Sequence, residues 1–171
     1  MVVYNVTNKS KISSILRQGD CLEVLKKLPD DSVDLIVTDP PYEFAAHRGG
    51  GAFGSKKREY HNQLEDSDIT NGFDTKILDE LMRVMKKVNI YIWCNKEQIK
   101  MYLDYFKDYN MDLLVLCKTN PVPTCNNKYL SDIEYLLLFR EKGVKVYGEY
   151  ATKHKYYVIP TNKADKKSII I

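Results

Sequence analysis

Helical spacing of apolar residues appears in three stretches of the chain. Residues 20–28 carry leucines at this spacing behind an Asp and a Glu three positions apart, the pattern of a capping box. Another helix is predicted to begin after Asn95 and to end near 105–108. Asn95 and Gln98 are the predicted capping residues of this helix. The longest stretch, 74–87, is amphipathic, and its predicted inward residues are Ile77, Leu78, Leu81, Met82 and Met85.

Apolar runs between these helices predict strands. They cover 33–37, 88–94, 111–118, 134–139 and 144–147. The first run, VDLIV, is continuous and typical of a buried strand in a parallel sheet. Strands that alternate with helices predict an α/β fold with a sheet that is parallel at first. Because the last strands follow one another without helices, we expect an antiparallel pair at that edge of the sheet.

Composition favours a single soluble, cytoplasmic domain. The chain has 171 residues, of which 44% are hydrophobic and 29% charged. No run of about 18 apolar residues or signal peptide appears, so no membrane association is expected. Cysteines lack CxxC spacing and histidines are scattered, which favours reduced thiols and no metal site; these residues are Cys21, Cys94, Cys117, Cys125, His47, His61 and His154.

Positive charge is concentrated in two stretches. Residues 47–62 carry four Arg or Lys against one Glu, and 153–167 carry five Lys against one Asp. They are either solvated surface or arms that follow a phosphate backbone. The first stretch also contains G-x-G-x-x-G at residues 49–54, but the motif does not turn directly from a strand into a helix, so we reject a dinucleotide site. We expect 45–72 to be a flexible basic loop that closes over a substrate.

The predicted first strand stops at Asp-Pro-Pro-Tyr, residues 39–42. The prolines fix their own backbone and restrict the residues before them, so this segment is stiff. Its carbonyls are predicted to remain unclaimed by a helix, and they stand beside the Asp39 carboxylate and the Tyr42 ring. Such acceptors beside a flat ring suit a planar ligand with an NH2 group, such as adenine. The alternative is a proline-stiffened turn in which Asp39 makes a local bond and Tyr42 packs at the rim.

Residues 19–42, GDCLEVLKKLPDDSVDLIVTDPPY, resemble the opening of a β-class DNA amino-methyltransferase, in which the catalytic motif precedes the cofactor motif. The resemblance continues through 77–99, 113–123 and 134–139. It implies an α/β, Rossmann-like and circularly permuted fold that uses S-adenosyl-L-methionine. It also implies that residues 1–171 are the half of that domain which holds the catalytic motif and the target-recognition region.

The family likeness implies roles for individual residues. Asp-Pro-Pro-Tyr usually marks enzymes that methylate adenine N6, whereas Ser-Pro-Pro-Tyr is commoner in cytosine-N4 enzymes. The Asp39 carboxylate and the Pro40 carbonyl are then expected to accept hydrogen bonds from the amino group of an extruded base. Pro41 completes the rigid catalytic motif, and the ring of Tyr42 stacks on the base.

Further roles follow from the same resemblance. Asp20, Cys21 and Asp39 are expected to face the cofactor. Double-stranded DNA is the expected partner, met by the loops 45–62 and 119–131; the predicted contacts are Arg48, Lys56, Lys57, Arg58, Asn120 and Pro121. Plainer interpretations remain open, with Asp20 as a helix cap alone, Asn120 and Pro121 in an ordinary turn, and Trp93 in the core or at its rim.

The chain departs from the family at its far end. Neither the His-Pro-x-x-Lys-Pro segment nor the Phe-x-Gly-x-Gly strand, which holds the methionine part of the cofactor, occurs in the sequence. We expect the C-terminal cofactor half to be missing, through a shortened chain, a lost second half or a natural half that needs a partner. The chain is then expected to be inactive alone and to self-associate, with a homodimer as one outcome. Alternatives are a cytosine-N4 enzyme, an RNA or protein amide substrate, and a silent DNA-binding subunit.

Overall fold

A computed structural model describes residues 2–7, 13–42, 74–121, 127 and 129–160. In chain order the elements are β1 (Val2–Thr7), β2 (Ser13–Gln18), α1 (Cys21–Leu25), β3 (Ile36–Thr38), α2 (Thr75–Val84), β4 (Asn89–Cys94), α3 (Ile99–Tyr105), β5 (Asn110–Lys118), β6 (Ile133–Arg140), a 3-10 turn (Tyr150–Thr152) and β7 (Tyr156–Ile159). No helix among these residues is long and apolar enough to cross a bilayer.

Five strands form one mixed sheet in the order β3-β4-β6-β5-β7, and β1 and β2 form a separate antiparallel pair. β3 is parallel to β4, and β5 is parallel to β7. β6 is antiparallel to both β4 and β5, so it joins two parallel pairs. Four strands therefore end at the same edge, which we call the carboxyl edge, and β6 begins there. The α/β fold with a mixed sheet is confirmed.

The core lies between one face of this sheet and the helices. Asp74 caps α2 by accepting from the Lys76 N–H at 2.9 Å, and the buried face of α2 carries Leu78, Leu81 and Val84. The Phe106 ring, just after α3, stacks on Phe139 of β6 with centroids 4.5 Å apart. Of the predicted inward residues of α2, Leu78, Leu81 and Met85 are buried, whereas Ile77 and Met82 pack against the core at half burial.

The chain after α1 is anchored to α2 through Arg83. Its guanidinium donates to the carbonyls of Leu25 at 2.9 Å and Leu28 at 3.0 Å, and it pairs with Asp30 and Glu80. Carbonyls at a helix end have no intrahelical partner, so this arginine satisfies them. It fixes the end of α1 near the end of α2, at the edge of the sheet opposite the carboxyl edge.

The first predicted strand is shorter and less buried than expected. Only Ile36–Thr38 is strand, and Val33 makes an isolated bridge with Met85. Leu35 is 49% exposed and Val37 64% exposed. The prediction of a buried strand over 33–37 was wrong because, in the described sheet, β3 has a neighbour on one side only and alternate residues face away from the helices.

The predicted strand over 144–147 is absent from the described fold. The Val144 N–H donates to the Glu141 carbonyl at 3.1 Å, and its own carbonyl accepts from Arg140 at 3.2 Å, so a turn uses the groups that a ladder would need. Gly143, with φ +92°, allows this turn.

The last strand instead lies in a stretch expected to be a loop. β7 pairs in parallel with β5, from Val115↔Tyr156 to Lys118↔Ile159. The predicted antiparallel pairing exists, but its place at a sheet edge was wrong. β6 lies inside the sheet because both β4 and β5 hydrogen-bond to it.

Candidate functional site

The ends of three strands place the predicted site residues Asp39, Asn120 and Pro121 at the same edge as the turn that begins at Asn95. Asp39 follows β3, Asn95 follows β4, and Asn120 and Pro121 follow β5. With neighbouring strands about 4.8 Å apart, β3 and β5 are separated by roughly 14 Å, across the ends of β4 and β6. The carboxyl edge is where open α/β sheets bind ligands.

The Asp-Pro-Pro-Tyr segment combines an exposed acid with a partly buried aromatic residue. Asp39 is exposed, Pro40 is buried, and Tyr42 is half-buried. The Tyr42 hydroxyl donates a hydrogen bond to the Asp39 carboxylate. Burial, this bond, and the charges of Asp39 and Glu134 raise the pKa of Tyr42 far above its ordinary value. The phenol therefore stays protonated at neutral pH and orients a carboxylate that solvent can still reach.

Gln98 holds the segment from behind. Its side chain is buried, with 1% exposure, and it is the one buried polar residue in the described part of the chain. Its Nε2 donates to the Pro41 carbonyl at 3.0 Å. The prediction that no helix claims the carbonyls of this segment did not anticipate that the Pro41 carbonyl accepts from a side chain. Sequence reasoning assigned Gln98 to a helix cap alone, since a contact 57 positions away leaves no local pattern.

The predicted capping pair after β4 is present. The Asn95 side chain accepts from the Gln98 N–H at 3.1 Å, and Gln98 Oε1 accepts from the Asn95 N–H at 3.3 Å. This reciprocal pair begins the turn that leads into α3. It also fixes the Gln98 side chain on the side of the turn that faces Pro41.

An ion pair at the same edge was missed by sequence reasoning. Lys118 ends β5, Glu134 lies at the start of β6, and their side chains form a salt bridge at 25% and 35% exposure. Glu134 also lies close enough to Tyr42 for its charge to act on the phenol. In the sequence, charged residues near both ends of the otherwise apolar strands β5 and β6 were the signal that could have indicated such a pair.

The sheet behind the segment is apolar. Cys94, at the end of β4, is buried, and burial raises the pKa of its thiol to about 11, so the thiol is neutral. The buried Tyr102 hydroxyl has no hydrogen-bond partner among the described residues. Trp93 is half-buried on the other face of β4. An apolar floor strengthens the electrostatic interactions made above it.

Asp20 caps α1, as predicted. Its Oδ1 accepts from the Glu23 N–H at 3.0 Å, while the Glu23 side chain binds Lys26 instead of completing a capping box. Cys21 is exposed, and partial burial together with the charge of Asp20 raises the pKa of its thiol. In the described contacts no hydrogen bond joins Asp20 to the Asp39 segment.

Several predicted DNA contacts cannot be placed. The G-x-G-x-x-G motif and the loops 45–62 and 45–72 lie outside the described residues, as do Arg48, Lys56, Lys57 and Arg58. Of the region 119–131, residues 119–121, 127 and 129–131 are described. Asn120 and Tyr129 there are exposed.

Sequence relatives of the chain are methyltransferases. No protein-family model matches the chain. It is 32% identical over 145 residues to the type II methyltransferase M.HinfI of Haemophilus influenzae, a match that covers 78% of the chain and 39% of M.HinfI. Identity is 27% over 136 residues to M.BamHI of Bacillus amyloliquefaciens, covering 76% and 29% of the two chains. It is 26% over 149 residues to M2.LlaDCHI of Lactococcus lactis subsp. cremoris, covering 82% and 55%.

Solved structures with a similar fold are also methyltransferases. The M1.HpyAVI structure aligns with TM-score 0.51 at 18% identity, over 82% of this chain and 63% of that one. The PvuII DNA methyltransferase, described as cytosine-N4-specific, aligns with TM-score 0.55 at 11% identity, over 87% and 58%. A Thermus thermophilus protein complexed with S-adenosyl-L-methionine aligns with TM-score 0.51 at 19% identity, over 84% and 66%.

The chain therefore shares its fold with solved DNA methyltransferase structures. In sequence the chain is related to type II DNA methyltransferases, which confirms the resemblance carried by residues 19–42. The chain spans about 29–55% of the length of these three relatives.

Proposed function

We propose that this chain holds the target base in a DNA methyltransferase that transfers a methyl group from S-adenosyl-L-methionine to the N6 amino group of adenine in double-stranded DNA. The observation that carries the proposal is the exposed Asp39 carboxylate at the carboxyl edge, oriented by Tyr42 and followed by the rigid prolines. The relatives support the reaction class.

The chemistry requires an amino nitrogen to become nucleophilic. Its lone pair is delocalised into the ring, and the acceptors at Asp39 and Pro40 draw the two N–H groups towards tetrahedral geometry. S-adenosyl-L-methionine supplies an electrophilic methyl group when bound. The nitrogen lone pair forms the new N–C bond as the C–S bond breaks, and the extra proton leaves to Asp39 or water. Positioning of this kind is worth roughly 7–11 kcal/mol.

The start of α1 suits the nucleoside part of the cofactor. Asp20 and Cys21 are exposed there, and a carboxylate is the acceptor that an adenine amino group or a ribose hydroxyl requires. In this proposal Asp20 and Asp39 face the cofactor. The circular permutation and the absence of a second half remain predictions.

Access to the amino group requires extrusion of the base from the duplex. That step costs a few kcal/mol. Stacking on the Tyr42 ring, worth about 1–3 kcal/mol per base, offsets part of the cost. In this proposal the basic loop 45–72, with Asn120 and Pro121, contacts the DNA.

Cytosine-N4 methylation is the second candidate. Cytosine presents a similar amino edge, and the PvuII DNA methyltransferase, which has a similar fold, is cytosine-N4-specific. The Asp at position 39 favours adenine by family resemblance. The two candidates differ in product, because one leaves N6-methyladenine and the other N4-methylcytosine after hydrolysis of the DNA.

The experiment is methyl transfer from tritiated S-adenosyl-L-methionine to unmethylated phage λ DNA, by this chain extended through the cofactor-binding segment that it is predicted to lack. We expect label in N6-methyladenine, and Asp39→Ala should lower transfer by at least roughly 100-fold because both a base acceptor and a Tyr42 partner are lost. Asp104→Ala removes an exposed carboxylate on α3 and should leave transfer unchanged. Unlabelled DNA with the extended wild-type chain would contradict the proposal. Retained DNA binding in a gel shift would then favour a silent DNA-binding subunit.

A further inference from the structure

We propose that Gln98 is a positioning residue that holds the Pro41 carbonyl, so that the Pro40 carbonyl and the Asp39 carboxylate face the target base. The inference rests on the proposed function. It assigns a role to a residue outside the Asp-Pro-Pro-Tyr motif, on the turn that follows β4.

The hydrogen bonds of Gln98 are specific and buried. Its Nε2 donates to the Pro41 carbonyl at 3.0 Å, and its Oε1 accepts from the Asn95 N–H at 3.3 Å. Its backbone N–H donates to Asn95, and its backbone carbonyl accepts from Tyr102 at 3.2 Å. A buried amide is costly unless it is satisfied. Here both ends of the side chain have a partner, so its orientation is fixed.

Pro40 and Pro41 need this support because they have no N–H to donate. β3 ends at Thr38, so the ladder does not hold the next residues, and two prolines in succession remove two donors. The segment can be held through its carbonyls and side chains. Gln98 supplies a bond to the Pro41 carbonyl, and Tyr42 supplies one to the Asp39 side chain.

The direction of the Pro41 carbonyl determines that of its neighbour. Pro40 precedes a proline, so its backbone is extended or polyproline-like. In such a backbone successive carbonyls point to different sides of the chain. A bond that turns the Pro41 carbonyl inward to Gln98 therefore leaves the Pro40 carbonyl pointing to another side of the chain. The same bond fixes the plane of the Pro41–Tyr42 peptide and hence the start of the Tyr42 side chain.

The alternative is that Gln98 only completes the cap of α3. The two roles separate chemically. Asn95→Ala removes the bonds that the Asn95 side chain accepts from the Glu97 and Gln98 N–H groups. It keeps the Asn95 N–H and the bond from Gln98 to Pro41. Gln98→Met keeps the length of the side chain but loses both of its hydrogen bonds.

The experiment compares these two variants in the chain extended through the predicted cofactor-binding segment. Gln98→Met should lower kcat for transfer to λ DNA by roughly 10- to 100-fold, with the KM for S-adenosyl-L-methionine unchanged. Asn95→Ala should lower Tm by a similar amount while transfer stays within about threefold of wild type. The inference would be overturned if the kcat of Gln98→Met stayed within threefold of wild type. It would also be overturned if the loss of kcat in both variants followed the loss of Tm.

A second readout needs no DNA. Trp93 is the single tryptophan of the chain, and it stands beside the start of the segment because Thr38 pairs with Ile92. Acrylamide should quench Trp93 more strongly in Gln98→Met than in wild type or Asn95→Ala, since the segment loosens. Equal quenching in all three proteins would refute the inference. An extended wild-type chain without transfer would count against the proposed function, and quenching would still decide the role of Gln98.

Discussion

We propose that Asp20, at the start of α1, performs two tasks, as a helix cap and as a contact with the cofactor. Its Oδ1 holds the first turn of α1 while the residue remains exposed. A carboxylate has a second oxygen, so a helix cap and a contact with a cofactor are compatible. The structural task depends on an acceptor, whereas the binding task depends on an acceptor and on negative charge.

Two substitutions at Asp20 test this division. Asp20→Ala should lower the free energy of unfolding by about 1 kcal/mol because α1 loses its cap. Asp20→Asn keeps the acceptor and should cost only a few tenths of that, since Asn caps helices as well as Asp. Urea denaturation measures both effects.

Binding of S-adenosyl-L-methionine, followed by calorimetry, measures the other task. Both variants should bind more weakly than wild type if the charge matters. An Asn variant with wild-type affinity would show that Asp20 is a cap alone.

At the scale of elements, the approach to β7 is joined to the sheet by charge. Asp112 of β5 accepts from Arg140 of β6 at 2.7 Å and also pairs with Lys155. These bonds, with Lys155 the stronger cause, lower the pKa of Asp112 below its ordinary 3.8. The folded state therefore binds this proton less readily than the unfolded state does. The resulting stability is present above the ordinary pKa and is lost as pH falls through the lowered one.

Asp112→Asn should remove this pH dependence. We expect wild type to lose stability below about pH 4 more steeply than the variant, by on the order of 1 kcal/mol for two partly exposed pairs. Denaturation in urea between pH 3 and pH 7, roughly the span of carboxyl titration, measures the difference. Asp104→Asn is the control, since its pair with Lys100 on α3 is exposed. Identical pH curves for wild type and Asp112→Asn would contradict the assignment.

Elements with strong local patterns were predictable from the sequence. The apolar period of α2 and the reciprocal pair of Asn95 and Gln98 depend on residues a turn apart, and both are present. The runs that became β4, β5 and β6 were also recognised. β7 was missed, and a strand was wrongly predicted over 144–147. In both cases the pairing partner of the segment determines whether it forms a strand. A parallel strand joins β5 from far along the chain, and Arg140 occupies the carbonyl that a strand at Val144 would use.

The candidate site divides in the same way. Asp39 and its neighbours were found because two prolines after an apolar run are a local signal. Sequence reasoning did not place three further residues at the site, namely Gln98, Lys118 and Glu134. Their contacts join segments that lie far apart in sequence and that meet only where the fold brings strand ends together.

Over the whole molecule, the described helices cover one face of the sheet, and apolar side chains remain exposed elsewhere. Leu35 and Val37 near the edge strand β3 are about half or more exposed. Such an edge with apolar side chains invites pairing with another chain. The predicted homodimer remains a prediction on this basis.

Sedimentation equilibrium of Val37→Lys tests self-association. Wild type should form concentration-dependent dimers, and the lysine should raise the dimer Kd by about tenfold or more, because burying a valine is worth roughly 1.5 kcal/mol. Leu103→Lys on α3 introduces the same charge at an exposed apolar residue away from β3, and it should leave the Kd unchanged. Monomeric wild type at all concentrations would exclude the homodimer.

The place of β6 in the sheet has a consequence for biosynthesis. The β3-β4 pair leaves the ribosome first, but its link to β5 is a strand that begins about 40 residues after β4 ends. At 5–20 residues per second, that strand follows about 2–8 s later. Nascent chains that end before Ile133 hold the β3-β4 pair and a β5 that is not connected to it; translation of Ile133–Arg140 joins them, and β7 then adds to the far side of β5.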